Sequence, residues 1–400
     1  MTKKEKVVIV GGGFGGVKAA LDLGNDRRFD VTLISDSDEL RYYPTLFHTA
    51  TGGKRSNSSI PLGRIFRSTP IRIVTAAAQT IDRKSKIVVT ASGKTYEYDS
   101  LIISLGVVTN YFGISGLPEY SYSIKTQDEV ARFKKHLHDQ LISDHKPDLN
   151  YVVVGAGPTG IELAGALPGY VNHLMDNHGI AKRKVHVDLI EAAPRLLPRF
   201  PKEISRRVER RLKKLGIKLY IGSAVQGQTA DELTVSGKPI RSHTVVWTAG
   251  VTNNPFFTVN KFVLMARGKV AVDTYMQAED NIFVIGDNAN TPYSGQAQTA
   301  LLDGAFVAYN LKRRASGKNF NSYKAVQPIT VIPAGPHWAA VVWGRAKFYG
   351  VIGWMLSEAA DFVGFSDLEP WKQATKQFLT EFSTEESCEV CAISQASKSR

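Results

Sequence analysis

One local pattern occurs twice in this chain of 400 residues, and it restricts the fold more than any other feature. Residues 6–10 read as a buried strand that runs straight into Gly11-Gly12-Gly13-Phe14-Gly15-Gly16. Val17, Ala20, Leu21 and Leu23 then recur at helical spacing, and residues 31–34 read as the next strand. Residues 151–154, the turn Gly155-Ala156-Gly157-Pro158-Thr159-Gly160, a helix from Ile161 onward and a strand at 187–190 repeat the unit. A strand, a G-x-G-x-x-G turn, a helix and a parallel strand form the opening of a dinucleotide-binding fold. Gly11 and Gly155 permit the tight turn, Gly13 and Gly157 let the backbone approach a pyrophosphate, and Gly16 and Gly160 let helix and strand pack closely. The helix N-terminus then offers free N–H groups and a positive dipole end to phosphates. Two glycine-rich turns without ligands are the plain alternative, but that does not explain why all three glycines are needed twice.

Composition excludes several classes. Hydrophobic residues make up 43% and charged residues 22%, which are globular proportions. The formal charge of +13 favours anionic partners without choosing among a dinucleotide, nucleic acid and a membrane surface. The two cysteines, Cys388 and Cys391, cannot make a disulfide framework, which fits a reducing compartment. The apolar run near the start stops at glycine after four residues, too short for a signal-peptide core, and no stretch reaches transmembrane length. The expectation is a cytoplasmic protein, soluble or peripheral on the inner face of the cell membrane.

Between the two units, residues 71–74, 86–89, 94–98 and 101–104 read as short strands, 128–141 as a helix and 144–150 as a linker. Beyond the second unit, strands are expected at 217–221, 232–235, 244–247, 270–272 and 282–285, the last followed by Gly286-Asp287. The helix around 202–214 carries Arg206, Arg207, Arg210, Arg211, Lys213 and Lys214 opposite an apolar stripe of Ile204, Val208, Leu212 and Leu215. With no nucleic-acid module beside it, a solvated face accounts for it better than nucleic-acid binding.

Two nucleotide-binding units suggest two nucleotides facing each other, and a flavin with a nicotinamide makes chemical sense because hydride passes between their rings. From about residue 6 to about residue 360 the chain resembles the type II NADH dehydrogenases (NADH:quinone oxidoreductases), within the flavoproteins that have two dinucleotide-binding domains. VVIVGGGFGGVKAA resembles the FAD-binding start, with Gly11, Gly13, Phe14, Gly15 and Gly16. LRYYPTLFHTATGG resembles the family's F-x-P-x-L-x-x-x-A-T-G segment through Pro44, and YDSLIISLG the strand closing the first segment at Gly106. YVVVGAGPTGIELAG resembles the NADH-binding turn with its glutamate, Glu162, and VVWTAGV, with Gly250, the link back toward the flavin. IFVIGDNA resembles the second FAD motif, with Gly286 and Asp287, and AQTALLDG, with Ala297 and Gln298, the stretch beside flavin and quinone.

The resemblance implies residue roles. Asp287 would accept a hydrogen bond from the ribityl chain, although an aspartate at a strand end also caps helices. Glu191 stands where a carboxylate would accept both ribose hydroxyls of NADH and repel the phosphate of NADPH, which Arg195 nearby would favour. In the first unit the acidic position falls on Ser35, with Asp36 one step later, so Asp36 ranks below the glycines as an FAD contact. Glu162 would lie where nicotinamide meets flavin, or serve the helix dipole, or both. The family's A-Q-x-A-x-Q pattern keeps its first glutamine as Gln298 and has Leu302 at the second, which weakens the quinone assignment.

The expected fold class is α/β, with two Rossmann-like dinucleotide-binding domains and a C-terminal extension. The FAD domain would comprise 1–115 and 266–327, with the NADH domain, 116–265, inserted between them. A C-terminal membrane or dimer segment would follow at 328–382, then a polar tail at 383–400. Trp338, Trp343, Phe348, Tyr349 and Trp354, with Arg345 and Lys347, read as an interfacial amphipathic helix or as packing against the flavin domain or a homodimer partner. The expected reaction passes hydride from NADH to FAD and electrons onward to a quinone, with no metal and no proton pumping. The rivals are a soluble NAD(P)H-dependent disulfide reductase using Cys388 and Cys391, and a redox-sensing FAD/NADH-binding protein with little turnover.

Overall fold

The computed structural model describes residues 3–143, 148, 150–181 and 184–381. Cys388, Cys391 and most of the 144–150 linker lie outside the described residues. Each glycine turn emerges from the centre of a parallel sheet. In the first sheet the strand order is Gln277–Glu279, Ile282–Val284, Ser100–Ile103, Glu5–Val10, Phe29–Ser35 and Arg72–Thr75, with only Gln277–Glu279 antiparallel to its neighbour. Segments before and after the second sheet therefore supply the first. The second has the order Lys218–Ile221, Val187–Glu191, Tyr151–Val154 and Thr244–Trp247, all parallel. Val10 pairs with Ile34 on one side and Ile103 on the other, and Val154 pairs with Ile190 and Trp247. Each turn thus leaves a central strand between neighbours on opposite sides, the switch point where open α/β sheets bind ligands.

The central strands are buried throughout at Val7 to Val10 and Tyr151 to Val154, which explains their unbroken apolar runs. Helix α1 (Phe14–Gly24) follows the first turn. Helix α2 (Gln127–Ser143) precedes the second unit and α3 (Pro158–Asn177) follows its turn. Helix α4 (Lys202–Lys214) buries Ile204, Val208 and Leu212, as its periodicity predicts. Helix α5 (Ala297–Arg314) crosses α1 so closely that a Cβ on Gly304 would overlap the Gly15 carbonyl oxygen.

The C-terminal region corrects one expectation. Trp338 to Tyr349 belong to no helix: Thr330–Pro333, Ala339–Trp343 and Ala346–Tyr349 form an antiparallel sheet, and α6 (Gly350–Ser366) begins only after it. The alternation of small, β-branched and aromatic residues suits a pleated surface, and Gly344, at φ +58°, makes the two-residue hairpin loop with Arg345. Residues 270–272 form no strand either; Val270 makes single bridges to Leu264 and Ala289. Ile332, Ala334, Ala340 and Val342 of this region join the core around the second sheet. Phe365, Leu368 and Ala374, the last from α7 (Trp371–Glu381), join the core around the first.

Candidate functional site

Both glycine turns have the shape their sequence calls for. Gly11 has φ +113° and Gly155 φ +103°, values that side chains avoid. A Cβ on Gly16 would overlap the Gly11 carbonyl, and one on Gly160 the Gly155 carbonyl, so each strand and helix touch backbone to backbone. Gly13 and Gly157 are the N-caps of α1 and α3, neither helix has a side-chain cap, and a Cβ on either glycine would meet nothing within 4 Å. Two helix N-termini are left with open cradles that fit pyrophosphates.

The starts of both helices open on one cavity of about 1930 Å³, lined by Phe14 from α1 and by Pro158, Thr159 and Glu162 from α3. Pro44, Asp287, Ala297 and Gln298 line it too. It exceeds an ordinary single-ligand pocket, roughly 300–1,000 Å³, and so has room for flavin and nicotinamide together. In its wall Thr291 has a buried hydroxyl with no hydrogen-bond partner, a group prepared for a polar ligand atom.

Asp287 sits in the short 3-10 turn Gly286–Asn288, and α5 begins ten residues later with Gln296 as its N-cap. The helix-capping role is therefore absent: the carboxylate instead accepts the Gly295 N–H and faces the cavity, and burial raises its pKa. The Lys269 ammonium donates to the Asp287 carbonyl at 2.9 Å and to the Ser294 hydroxyl, and its charge opposes the rise. Gly286 donates its N–H to Asp303 at 3.0 Å. Asp303, fully buried, also accepts from the Tyr323 hydroxyl at 2.7 Å, and burial pushes its pKa up to about 6. Sequence reasoning passed over Asp303, although a charge on the face shared by Thr299, Ala300 and Val307 was a readable signal. Gly106 exchanges two hydrogen bonds with the Asn288 amide, at 3.0 and 2.6 Å, and so is tied to the Asp287 turn. Gly250 serves a protein contact: its close neighbours are Phe112 and the Asn110 carbonyl.

Glu191 closes its strand beside the second glycine turn. One carboxylate oxygen accepts the Ala156 N–H at 2.8 Å and the other the Ala193 N–H at 2.7 Å. Arg195 is turned to the carbonyls of Leu197 and Pro198 and the Ser205 hydroxyl, at 3.0, 2.5 and 3.0 Å. It folds its own loop. In the first unit Ser35 packs against Gly12, while Asp36 is exposed and pairs with Arg41 at 3.4 Å.

Glu162 is half-buried and opens to the cavity; desolvation and the nearby Asp361 push its pKa up to about 8. Asp361 and Glu358, both on α6, line the same cavity, and burial raises both, with Glu358 adding to the shift at Asp361. Sequence reading missed this acidic group because its members come together only in three dimensions. Gln298 lines the cavity while its side-chain oxygen accepts the Ile329 N–H at 2.9 Å, and Leu302 is partly exposed.

The type II NADH:quinone oxidoreductase of Staphylococcus saprophyticus is 29% identical over 368 residues, covering 86% of this chain and 90% of that one. The structure of NDH2 from Plasmodium falciparum in complex with NADH superposes with a TM-score of 0.83 at 19% identity, covering 95% of this chain and 98% of that one. The sulfide:quinone oxidoreductase of Aquifex aeolicus does so with a TM-score of 0.76 at 22% identity, covering 96% and 98%. Residues 5–304, which hold both glycine turns and the Asp287 turn, match the pyridine nucleotide-disulphide oxidoreductases, and the chain belongs to that family.

Proposed function

We propose that this protein is an FAD-dependent oxidoreductase that takes hydride from NADH and delivers electrons to a quinone. The observation that carries the reading is the single cavity on which two dinucleotide-type helix N-termini open, with Asp287 and Glu162 both in its lining. The S. saprophyticus relative is named for this reaction, and the fold is shared with NDH2, solved in complex with NADH, and with a sulfide:quinone oxidoreductase. The matched residues 5–304 contain no cysteine, so a disulfide within them is not the electron carrier.

FAD supplies a ring that accepts hydride and returns electrons. Gly11, Gly13, Gly15 and Gly16 would hold its pyrophosphate at the α1 N-terminus and Asp287 its ribityl chain, with Phe14, Pro44, Gly106, Gly286 and Ala297 shaping the pocket. Gly155, Gly157 and Gly160 would hold the NADH pyrophosphate, and Glu191 the adenosine ribose. Glu162, protonated below about pH 8, is positioned to hold a proton beside the reacting rings. Gln298 would orient the quinone.

Among the described residues no helix is long and apolar enough to cross a membrane. Helix α6 nonetheless exposes Val351, Ile352 and Met355, while Glu358 and Asp361 line the cavity. Those exposed apolar side chains, with exposed Trp343 in the same region, support peripheral membrane contact. Vesicle co-sedimentation together with sedimentation velocity distinguishes this from a homodimer that buries the same face. The function itself is tested by an acceptor screen on flavin-loaded protein, using quinones, disulfides and oxygen. NADH oxidation no faster with quinone than with oxygen would refute it.

A further inference from the structure

NADH yields a hydride, so reducing a quinone to its hydroquinone consumes one further proton from solvent in every turnover. The cavity needs a way to admit it. Helix α3 lines the cavity through Glu162, Ala166, Gly169 and Tyr170, residues that share one helical face. At the far end of that face Tyr170, only 5% exposed, places its hydroxyl 3.5 Å from Nε2 of His138 on α2. His138, 4% exposed, places its other nitrogen, Nδ1, 3.3 Å from Nε2 of His178. His178 is the C-cap residue of α3 and is exposed.

We propose that His178, His138 and Tyr170 form a proton-delivery path from solvent to the cavity, a reading that rests on the quinone reaction proposed above. A proton taken up on the outer nitrogen of His178 releases the one on its Nε2 to Nδ1 of His138. His138 releases its Nε2 proton to the Tyr170 oxygen, and the Tyr170 hydroxyl gives its own proton to the cavity that Tyr170 lines. One proton enters, one leaves, no electrons move, and tautomer exchange in the rings resets the path. A relay histidine must offer one donor and one acceptor nitrogen, which only the neutral ring does. Burial, with repulsion from His178 and Lys134 outweighing the attraction of Asp139, pushes the His138 pKa down to about 4 and keeps it neutral. The order of the path follows from burial: two closed members, then one in solvent.

The test uses the flavin-loaded, full-length protein with NADH and either a soluble quinone or ferricyanide, which takes an electron but no proton. His138→Phe should slow quinone turnover on the order of 100-fold, the low end for a positioned proton transfer, with little change in ferricyanide turnover. His138→Gln guards against a folding defect, read from flavin content and melting temperature. His178→Ala, at the surface, should lose rate, gain a larger solvent isotope effect and recover rate with added imidazole; a purely structural histidine would show no such rescue. Variants with parental quinone rates and isotope effects would overturn the path alone. A parent protein that reduces ferricyanide but no quinone would overturn the quinone reading and the path with it.

Discussion

Glu191→Gln is the sharpest single test of nicotinamide recognition. An ionised carboxylate has about four lone-pair sites, and two are already occupied by the Ala156 and Ala193 N–H groups. Two remain, one on each oxygen, which suits the two hydroxyls of a ribose. Glutamine keeps one oxygen and turns an NH₂ donor toward the other N–H and hydroxyl. Binding then loses about one charge-assisted hydrogen bond, roughly 1.5–3 kcal/mol. At 1.4 kcal/mol per tenfold, NADH affinity should fall on the order of 10- to 150-fold. The repulsion of the NADPH phosphate disappears together with the charge, so the preference for NADH should narrow from both sides. Stopped-flow flavin reduction, titrated with each nicotinamide, reads both affinities, and a melting curve separates them from loosening of the glycine turn. An NADH affinity within about twofold of the parent, with discrimination unchanged, would refute the reasoning, since it leaves no room for even the weakest charged hydrogen bond.

Four further outcomes are expected. Glu162 has a raised pKa, so the folded state holds an extra proton between its ordinary range and about pH 8; its stabilising effect is complete at low pH and lost as pH rises through that window. Quinone turnover should accordingly fall above about pH 8, and Glu162→Gln should flatten that limb in a pH–rate profile. Asp287→Ala should release flavin more readily than the parent, measured by flavin retained after dialysis; full occupancy would remove Asp287 as the ribityl ligand. Gln298→Ala should raise the quinone KM while NADH reduces the flavin at the parental rate, and replacing Cys388 and Cys391 with Ser should change neither. Gly304→Ala should lower stability by about 1–3 kcal/mol, a typical cost of overpacking, because its methyl group collides with the Gly15 carbonyl, and differential scanning calorimetry would show it.

The sequence was most legible where local physics decides the structure. Unbroken apolar runs ending in glycine became the central strands and turns, and the 3.6 period gave helix Lys202–Lys214 its bounds. Reading failed where the same residues suit two structures. The aromatic stretch before Tyr349 contains the β-branched pair Val341-Val342 and a hairpin glycine that outweigh its resemblance to an interfacial helix. It also failed where partners lie far apart in sequence: Asp361 raises the pKa of Glu162 from the other end of the chain, and Tyr323 reaches Asp303 from beyond the end of its helix. Glu191 was legible as the acid that ends its strand, but its hold on the Ala156 and Ala193 amides depends on the fold of the turn.

The region after residue 328 contributes side chains first to one core and then to the other. During synthesis, domains fold as units as they emerge, N-terminal parts first. Both glycine turns and their sheets are encoded before Arg314, so two nucleotide-competent halves can exist on the ribosome while Ile332 and Phe365 are still inside it. The stretch that carries Asp361 and Glu358 is the last described part of the cavity wall to be made. A nascent or truncated chain would therefore present both glycine turns to their cofactors before α6 has closed the cavity that they share.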